Sequence, residues 1–494
     1  MDERRNKIIF LTINAKRTLY GVTCDKYSAI QPNITMSLLG AYCKSKGIKV
    51  EMLDETRNFS IPEYCEYIRK EKPMLVGIIV SGANPSSSTM SMTGVIKFFE
   101  EYNKNPCKET QIFVHGGHPS VLPERTLEET GADFIIIGEG YKTITKLYNH
   151  FLNKGLTKRD FELFKIKGLF YESDNIFHNT GFSPLVDVNS LPMIDWSKTN
   201  PNKYRAHNWH TFGDLSNRSP YGVIWTTFGC PHNCSFCCIN NIFGKRNYRM
   251  RDINKVIEEI DTLVLKYNVK HIKILDELFI IKHPRINQFC EALEARDYDL
   301  NMWAYGRTDS LDPKLLKRLK GVGLNWMSCG FESIDQKVLD SVNKGYSQKY
   351  DEVISMIKDS GISICADFIA GLWEDNYDTM QATYDFACKH NFEWLNIYPC
   401  FAYPGTPMYK ELLKKRRIKE PKDWSEYALY GYNCNPLPTK YLTAKEVLAW
   451  RDEKFVAYHS RWEYIEMITQ KFGSDTIKHI LKMIYNPLKR KILE

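Results

Sequence analysis

The 494-residue chain is predicted to be α/β, with an N-terminal doubly wound parallel sheet, a central partial (β/α)6 TIM-like barrel and a helical C-terminal region. Three observations predict this. Residues 7–150 alternate short apolar runs with amphipathic stretches, the pattern of a parallel sheet covered on both faces. From Gly222 the alternation resumes and repeats six times. Beyond residue 418 the strand signal stops, and helical and aromatic residues dominate. The expected boundaries are 1–155, 156–215, 216–415 and 416–494, in keeping with two or three domains for this length.

In the first domain, strands are expected at Ile8–Ile13, Lys49–Leu53, Leu75–Val80, Gln111–Val114 and Phe134–Ile137. Helices are expected between them, as at Thr35–Lys46 and Met92–Tyr102. Such sheets bind ligands beyond the carboxyl ends of their strands. Three of those ends carry small residues: Ser81-Gly82-Ala83 running to Ser88, Gly116-Gly117-His118-Pro119, and Gly138-Glu139-Gly140. Glycine there admits close backbone approach, although any one loop alone reads as an ordinary tight turn. Residues 160–220 form a connector, with a hairpin predicted from 167–171 and 175–178, followed by Pro184, Leu191-Pro192 and Trp196.

In the barrel, strands are expected at Gly222–Thr227, His271–Asp276, Asn301–Tyr305, Trp326–Gly330, Cys365–Ala370 and Leu395–Cys400, with helices such as Ile253–Tyr267 and Pro313–Lys320 between them. Barrels hold their chemistry on the loops after the strands. The loop after the first strand reads Phe-Gly-Cys-Pro-His-Asn-Cys-Ser-Phe-Cys, which spaces Cys230, Cys234 and Cys237 as C-x3-C-x2-C. Three thiolates there can hold three corners of a four-iron cluster and leave one iron open to a small molecule. The competing reading is zinc, which usually takes four ligands; His232 is the available fourth, with poor geometry in so tight a loop. Cys238 is expected to point away and pack. Later strand ends carry Asp276-Glu277, Arg307, Glu332-Ser333 and the run from Asp367 to Glu374. A helix cap is the alternative for Asp276 and Glu277, and a structural salt bridge for Arg307. Pro404-Gly405-Thr406 reads as the turn ending the sixth unit.

In the C-terminal region, Thr443-Ala444-Lys445-Glu446 is a capping-box pattern opening a helix. Leu448, Phe455 and Trp462 recur every seven residues, so one apolar stripe is expected to face the protein as core or as a lid. The net charge of +8 is dispersed, with clusters at Lys414–Arg417 and Lys489–Lys491 that read as a solvated helix end and a basic tail, with no specific nucleic-acid partner. Fourteen cysteines without disulfide-like regularity fit a reducing cytoplasm. No apolar run is long enough for a transmembrane segment, and no secretory signal is expected.

With Phe236 as its aromatic, the cysteine loop resembles the C-x3-C-x-aromatic-C signature of radical S-adenosylmethionine (radical SAM) enzymes. The three N-terminal loops together, including the Gly-Gly-x-Pro-x-x-x-Pro-Glu stretch from Gly116 to Glu124, resemble the cobalamin-binding domain that precedes many of them. The resemblance implies a [4Fe-4S] cluster on Cys230, Cys234 and Cys237. It implies S-adenosylmethionine contacts from Phe236, Asp276, Glu277, Arg307, Glu332, Ser333 and Ile369. It also implies cobalamin contacts from Ser81, Gly82, Gly116, Gly117, His118, Gly138, Glu139 and Gly140.

There are two departures from the pattern. Asp367 replaces the first glycine of Gly-x-Ile-x-Gly-x-x-Glu. The Asp-x-His-x-x-Gly of older cobalamin proteins is replaced by Asn-Ala-Lys-Arg-Thr-Leu-Tyr-Gly, so no histidine is assigned as an axial ligand to cobalt. The implied activity is radical C-methylation of an unactivated carbon in a small-molecule substrate, fed by an external one-electron reductant of the flavodoxin or ferredoxin type. Three alternatives remain open. The first is a non-methylating rearrangement, cyclisation or oxidation. The second is a transfer-RNA methylthiotransferase, whose additional cysteine trio Cys24, Cys43, Cys65 and Cys107 do not reproduce. The third is a non-catalytic electron carrier. No side chain is assigned a catalytic role.

Overall fold

The computed structural model describes residues 5–494, apart from residues 14, 22, 23, 83, 157, 159 and 346–348 and the side chains of residues 18, 24 and 25. Ala83 of the strand-three loop, Asn14 and the Cys24 side chain therefore lie outside the described residues.

The first sheet has seven strands in the order β2-β1-β3-β4-β5-β6-β7. They are β1 Lys7–Leu11, β2 Lys49–Leu53, β3 Leu75–Val80, β4 Gln111–Gly116, β5 Phe134–Ile136, β6 Leu169–Ser173 and β7 Ile176–Asn179. The first five pair in parallel, because each connection between them carries a crossover helix that returns the chain. The connector hairpin β6–β7 then extends this sheet antiparallel from β5. β3 is buried at every residue, as a strand covered on both faces must be. Glycine is required inside it: a Cβ on Gly77 would stand 2.4 Å from the Phe113 ring.

The second sheet has six parallel strands in the order β15-β14-β13-β12-β11-β8. They comprise β8 Tyr221–Ile224, β11 His271–Ile274, β12 Asn301–Gly306, β13 Leu324–Glu332, β14 Ser363–Ala370 and β15 Trp394–Pro399. Between β8 and β11 a two-stranded antiparallel ribbon, β9 Thr227–Phe228 and β10 Arg249–Met250, brackets the cysteine loop. The barrel is open between β8 and β15, the two edges of this sheet.

The C-terminal region differs from expectation in two respects. Residues 418–443 are largely irregular, with a short 3-10 turn at Trp424–Tyr427, because Pro421, Pro436 and Pro438 break any helix. Three helices follow, Ala444–Ser460, Trp462–Phe472 and Ser474–Ile484, the first opened by the expected capping box. The seven-residue stripe fails at its third member. Leu448 and Phe455 are buried, but Trp462 is 72% exposed, since the helix ends at Ser460 and the chain turns. Among the described residues no helix is long and apolar enough to cross a membrane.

Contacts between the domains are specific. Arg249 of β10 forks onto Glu139, with Nη2–Oε1 at 2.6 Å and Nη1–Oε2 at 3.1 Å. Arg125 stacks over Trp424 at 4.1 Å and donates to Glu420 at 3.0 Å. At Gly405 the barrel meets the first domain so closely that a Cβ would stand 2.7 Å from Val121.

Candidate functional site

A chamber of about 1450 Å³ lies where the carboxyl ends of both sheets face each other. The first domain contributes Ser81, Gly82, Ser120, Val121 and Ile137; the connector contributes Gly181, Phe182, His207 and Trp209. The barrel contributes its strand ends and lumen, and the C-terminal helices contribute Arg451, Phe455 and Met483. The connector and the C-terminal region are thus walls of the same space.

Cys230, Cys234 and Cys237 all border the chamber. Gly229 opens their loop at φ 84°, and a Cβ there would stand 2.6 Å from the Asn247 carbonyl, so only glycine suits the turn. The loop is fixed from behind: the Ser235 N–H donates to the Val342 carbonyl at 2.9 Å, and the Ser235 carbonyl accepts from the Met408 N–H at 3.0 Å. Phe236 packs against the cluster of Val338, Val342 and Met408. Burial, then neighbouring thiols, raise the Cys230 and Cys237 thiols. Among the described residues no three His, Cys, Asp or Glu side chains converge on a single ion. Cys238 is buried and also touches the chamber wall.

Of the residues expected to contact S-adenosylmethionine, Phe236, Glu277, Arg307, Glu332 and Ile369 are brought together on the wall beside the cysteines. Glu277 accepts from the Gly229 N–H at 3.2 Å, and burial pushes its carboxyl up to about 8. Arg307 reaches within 3.8 Å of the Cys234 sulfur, donates to the Lys344 carbonyl at 3.3 Å and pairs with Asp309. Two expected residues lie elsewhere in the structure. Asp276 is fully buried and turned away: it accepts from the Thr226 N–H at 2.6 Å and from the Thr226 hydroxyl, so it serves the first barrel turn. Ser333 accepts from the Asp335 N–H at 3.1 Å and contacts Thr383, outside the chamber.

The residues expected to contact cobalamin are placed in two groups. Ser81 and Gly82 face the chamber, but Gly116, Gly117, His118, Gly138, Glu139 and Gly140 do not line it. Gly116 is needed for close approach, since a Cβ there would lie 2.2 Å from the Val80 carbonyl. Gly138 and Gly140 shape the turn into the helix Tyr141–Lys154. Glu139 is committed to Arg249 and to the Val186 N–H at 2.8 Å. His118 is buried against Trp424, ring centroids 4.4 Å apart, and burial lowers it to about 3. The loops do reach the chamber, but through neighbours: Ser120, Val121 and Ile137. These strand ends form a shelf on the chamber wall, and Gly82 packs closely within it, since a Cβ there would stand 2.5 Å from Ser87. The only histidines on the chamber wall among the described residues are His207 and His232, neither from the first domain's loops.

Sequence reasoning missed a polar set in the barrel lumen. Asp367 accepts from the Ser328 hydroxyl and from Asn396 Nδ2 at 2.8 Å, and burial pushes it up to about 7. Lys344 meets Glu332 at 2.6 Å. Lys273 donates to Gln31 at 3.2 Å, lies 4.7 Å from the Trp303 ring centroid, and is lowered by burial to about 7. Strand periodicity could have found Lys273, which shares a face of its strand with Leu275 and Glu277. Lys344 has no comparable signal, because its partner lies twelve residues away across a bulge.

Comparison with known proteins agrees with this geometry. The Radical SAM superfamily profile matches residues 224–387, and the B12 binding domain profile matches residues 21–147. The chain is 26% identical over 416 residues to the uncharacterized methyltransferase PH0819 of Pyrococcus horikoshii, covering 83% of this chain and 84% of that protein. It is 35% identical over 397 residues to the anaerobic magnesium-protoporphyrin IX monomethyl ester cyclase of Rubrivivax gelatinosus, covering 78% and 67%. Its fold is similar to that of the cobalamin-dependent S-adenosylmethionine radical enzyme OxsB, solved with aqua-cobalamin and S-adenosylmethionine, with TM-score 0.70, 16% identity, and coverage of 97% of this chain and 70% of that one. With both profiles on one chain and the cysteine loop facing the N-terminal shelf across a shared chamber, this protein belongs to the radical SAM enzymes that carry a cobalamin-binding domain.

Proposed function

We propose that the protein is a cobalamin-dependent radical C-methyltransferase acting on an unactivated carbon of a small-molecule substrate. The observation that carries this reading is that one chamber is bordered both by Cys230, Cys234 and Cys237 and by the strand-end shelf of the first domain, leaving space for a substrate between them. The bound groups supply reductive cleavage of S-adenosylmethionine and a transferable methyl; the protein orients them and excludes water. In this reading Cys230, Cys234 and Cys237 hold the cluster. Glu277, a buried carboxyl beside the loop, would accept a hydrogen bond from the methionyl nitrogen, and Arg307 would offer a fork to the carboxylate. Ile369 and Phe236 give an apolar surface for the adenine. Ser81, Gly82 and Ser120 support the corrin. Asp367, held by Ser328 and Asn396, accepts a hydrogen bond or holds a proton in the lumen where the substrate sits. The electron comes from an external flavodoxin- or ferredoxin-like reductant, and the compartment is a reducing cytoplasm.

The test is anaerobic reconstitution with iron, sulfide and hydroxocobalamin, followed by dithionite and S-adenosylmethionine. The expected products are 5′-deoxyadenosine and, with substrate, S-adenosylhomocysteine and a product heavier by one methyl. Release of deoxyadenosine by a Cys230→Ala/Cys234→Ala/Cys237→Ala variant would sink the reading. The 35% identity to a cyclase favours one second reading, an oxidative ring closure without methyl transfer; product mass separates the two.

A further inference from the structure

The basic run after the sixth strand reads as a solvated helix end in the sequence, but its position gives it a second meaning. Positions 410–419 hold six basic residues (Lys410, Lys414, Lys415, Arg416, Arg417 and Lys419) and one acidic residue, Glu411. All six basic side chains are exposed. Glu411 pairs with Lys415 and offsets one of these charges, leaving five basic residues. Nearby, Glu374 is engaged by Lys337 at 3.0 Å and by Lys440 at 3.8 Å, so local acids do not cancel the patch.

The helix that begins this run, Pro407–Lys414, is the one fastened to the cysteine loop, through the Met408 N–H on the Ser235 carbonyl at 3.0 Å. Its apolar face, Met408, Tyr409 and Leu412, packs with Phe236 from within that loop. The helix thus runs from the cysteine loop at Met408 to the start of the basic surface at Lys414, six residues or about 9 Å of helix further on. The chamber side of the same loop faces the cofactors and substrate, so the outer side is the approach left to an electron donor.

We infer that the surface formed by Lys414, Lys415, Arg416, Arg417 and Lys419 docks an acidic one-electron carrier protein for delivery to the cluster. The inference rests on the radical SAM reading above. One electron passes inward; the carrier is oxidised by one electron, the cluster is reduced by one, and no bond is made or broken. An acidic protein fits better than a membrane, because the apolar face of the helix is buried and only its charged face is outward. It also fits better than nucleic acid, whose binding surfaces interleave free aromatic faces with the charge: positions 410–419 hold no aromatic residue, and the neighbouring Trp373 ring is already covered by the Arg417 guanidinium at 4.2 Å.

The test uses the reconstituted holoenzyme and a flavodoxin of low isoelectric point. Wild type is compared with Lys414→Glu/Lys419→Glu and with the milder Lys414→Gln/Lys419→Gln. Titration calorimetry reads the binding of oxidised flavodoxin, and stopped-flow bleaching of the cluster absorbance reads reduction by reduced flavodoxin. At low ionic strength the charge reversal should weaken binding and slow reduction by at least about tenfold, with the glutamine variant intermediate. The difference should vanish near 1 M salt, where the screening length is about 3 Å. Reduction by dithionite should be equal in all three proteins, which shows that the variants are folded and loaded. Equal flavodoxin affinities and rates in all three, or no salt dependence in wild type, overturn the inference. Absence of deoxyadenosine with dithionite would count against the proposed function instead, because flavodoxin binding is read without turnover.

Discussion

Glu332 and Lys344 meet at 2.6 Å on the chamber wall, and Glu332 makes that contact from a left-handed backbone at φ 64°. Glutamate rarely adopts that conformation, which costs of order 1–3 kcal/mol and persists where the surroundings enforce it. Here a bulge between Gly330 and Glu332 in β13 turns the carboxylate back over Gly330, where a Cβ would stand 2.7 Å from it. Burial pulls the Lys344 ammonium down, but the Glu332 carboxylate outweighs it and holds the amine above its ordinary value.

Breaking this pair should be costly. Lys344→Met leaves a buried carboxylate uncompensated and should destabilise the protein by about 3–5 kcal/mol. Removing both charges with Glu332→Gln/Lys344→Met should restore most of that loss. Anaerobic denaturant unfolding of the three proteins checks this; additive effects of the two changes would contradict the pairing.

Asp367 makes stability depend on pH. Its folded-state pKa of about 7 lies above the ordinary carboxylate value because the side chain is buried. Between about pH 4 and pH 7 the native state holds this proton and the unfolded chain does not. Stability is therefore greatest below that window and falls as pH rises through it, by about 4 kcal/mol in total for this one group. Asp367→Asn should flatten that part of the pH profile. An unchanged slope in the variant would show that another group carries it.

Much of this was legible from residue patterns, for definite reasons. The parallel strands betray themselves as apolar runs such as Leu75–Val80, and the cysteine loop by spacing within one turn. What failed depended on which way a side chain turns. Asp276 and Glu277 are adjacent, yet only Glu277 faces the chamber, because neighbours at a strand end point to opposite sides. Glu139 looked like a ligand residue in its Gly-Glu-Gly turn, but its partner Arg249 is 110 residues away and invisible to local pattern. Trp462 fitted a heptad that the helix does not live to complete.

Glu139 and Arg249 yield a further prediction. The carboxylate is almost fully buried and accepts both guanidinium hydrogen bonds as well as the Val186 N–H, so it ties the first domain to both the connector and the barrel. Arg249→Met should strand that charge and loosen the junction. Limited proteolysis within residues 156–215 should accelerate by at least about tenfold, since cleavage follows the population of the opened state. Lys273→Met, a change inside the lumen, should leave the cleavage rate in that segment near wild type.

His118 lies in a loop that resembles a cobalamin-binding segment, yet the structure gives it a packing role. Its ring stands edge-on to Trp424, its Nδ1 lies 3.4 Å from the Thr89 hydroxyl, and burial keeps it neutral at any working pH. It is absent from the chamber wall that Ser81 and Gly82 line. His118→Phe preserves an aromatic ring against Trp424 and should leave the absorption spectrum of the cobalamin-reconstituted protein unchanged, with bound cobalt at the wild-type stoichiometry. The stability change should stay within about 1.5 kcal/mol, as for other volume-conserving core exchanges. A shifted cobalt spectrum in that variant would overturn the packing role and require the loop to open so that the histidine reaches the metal.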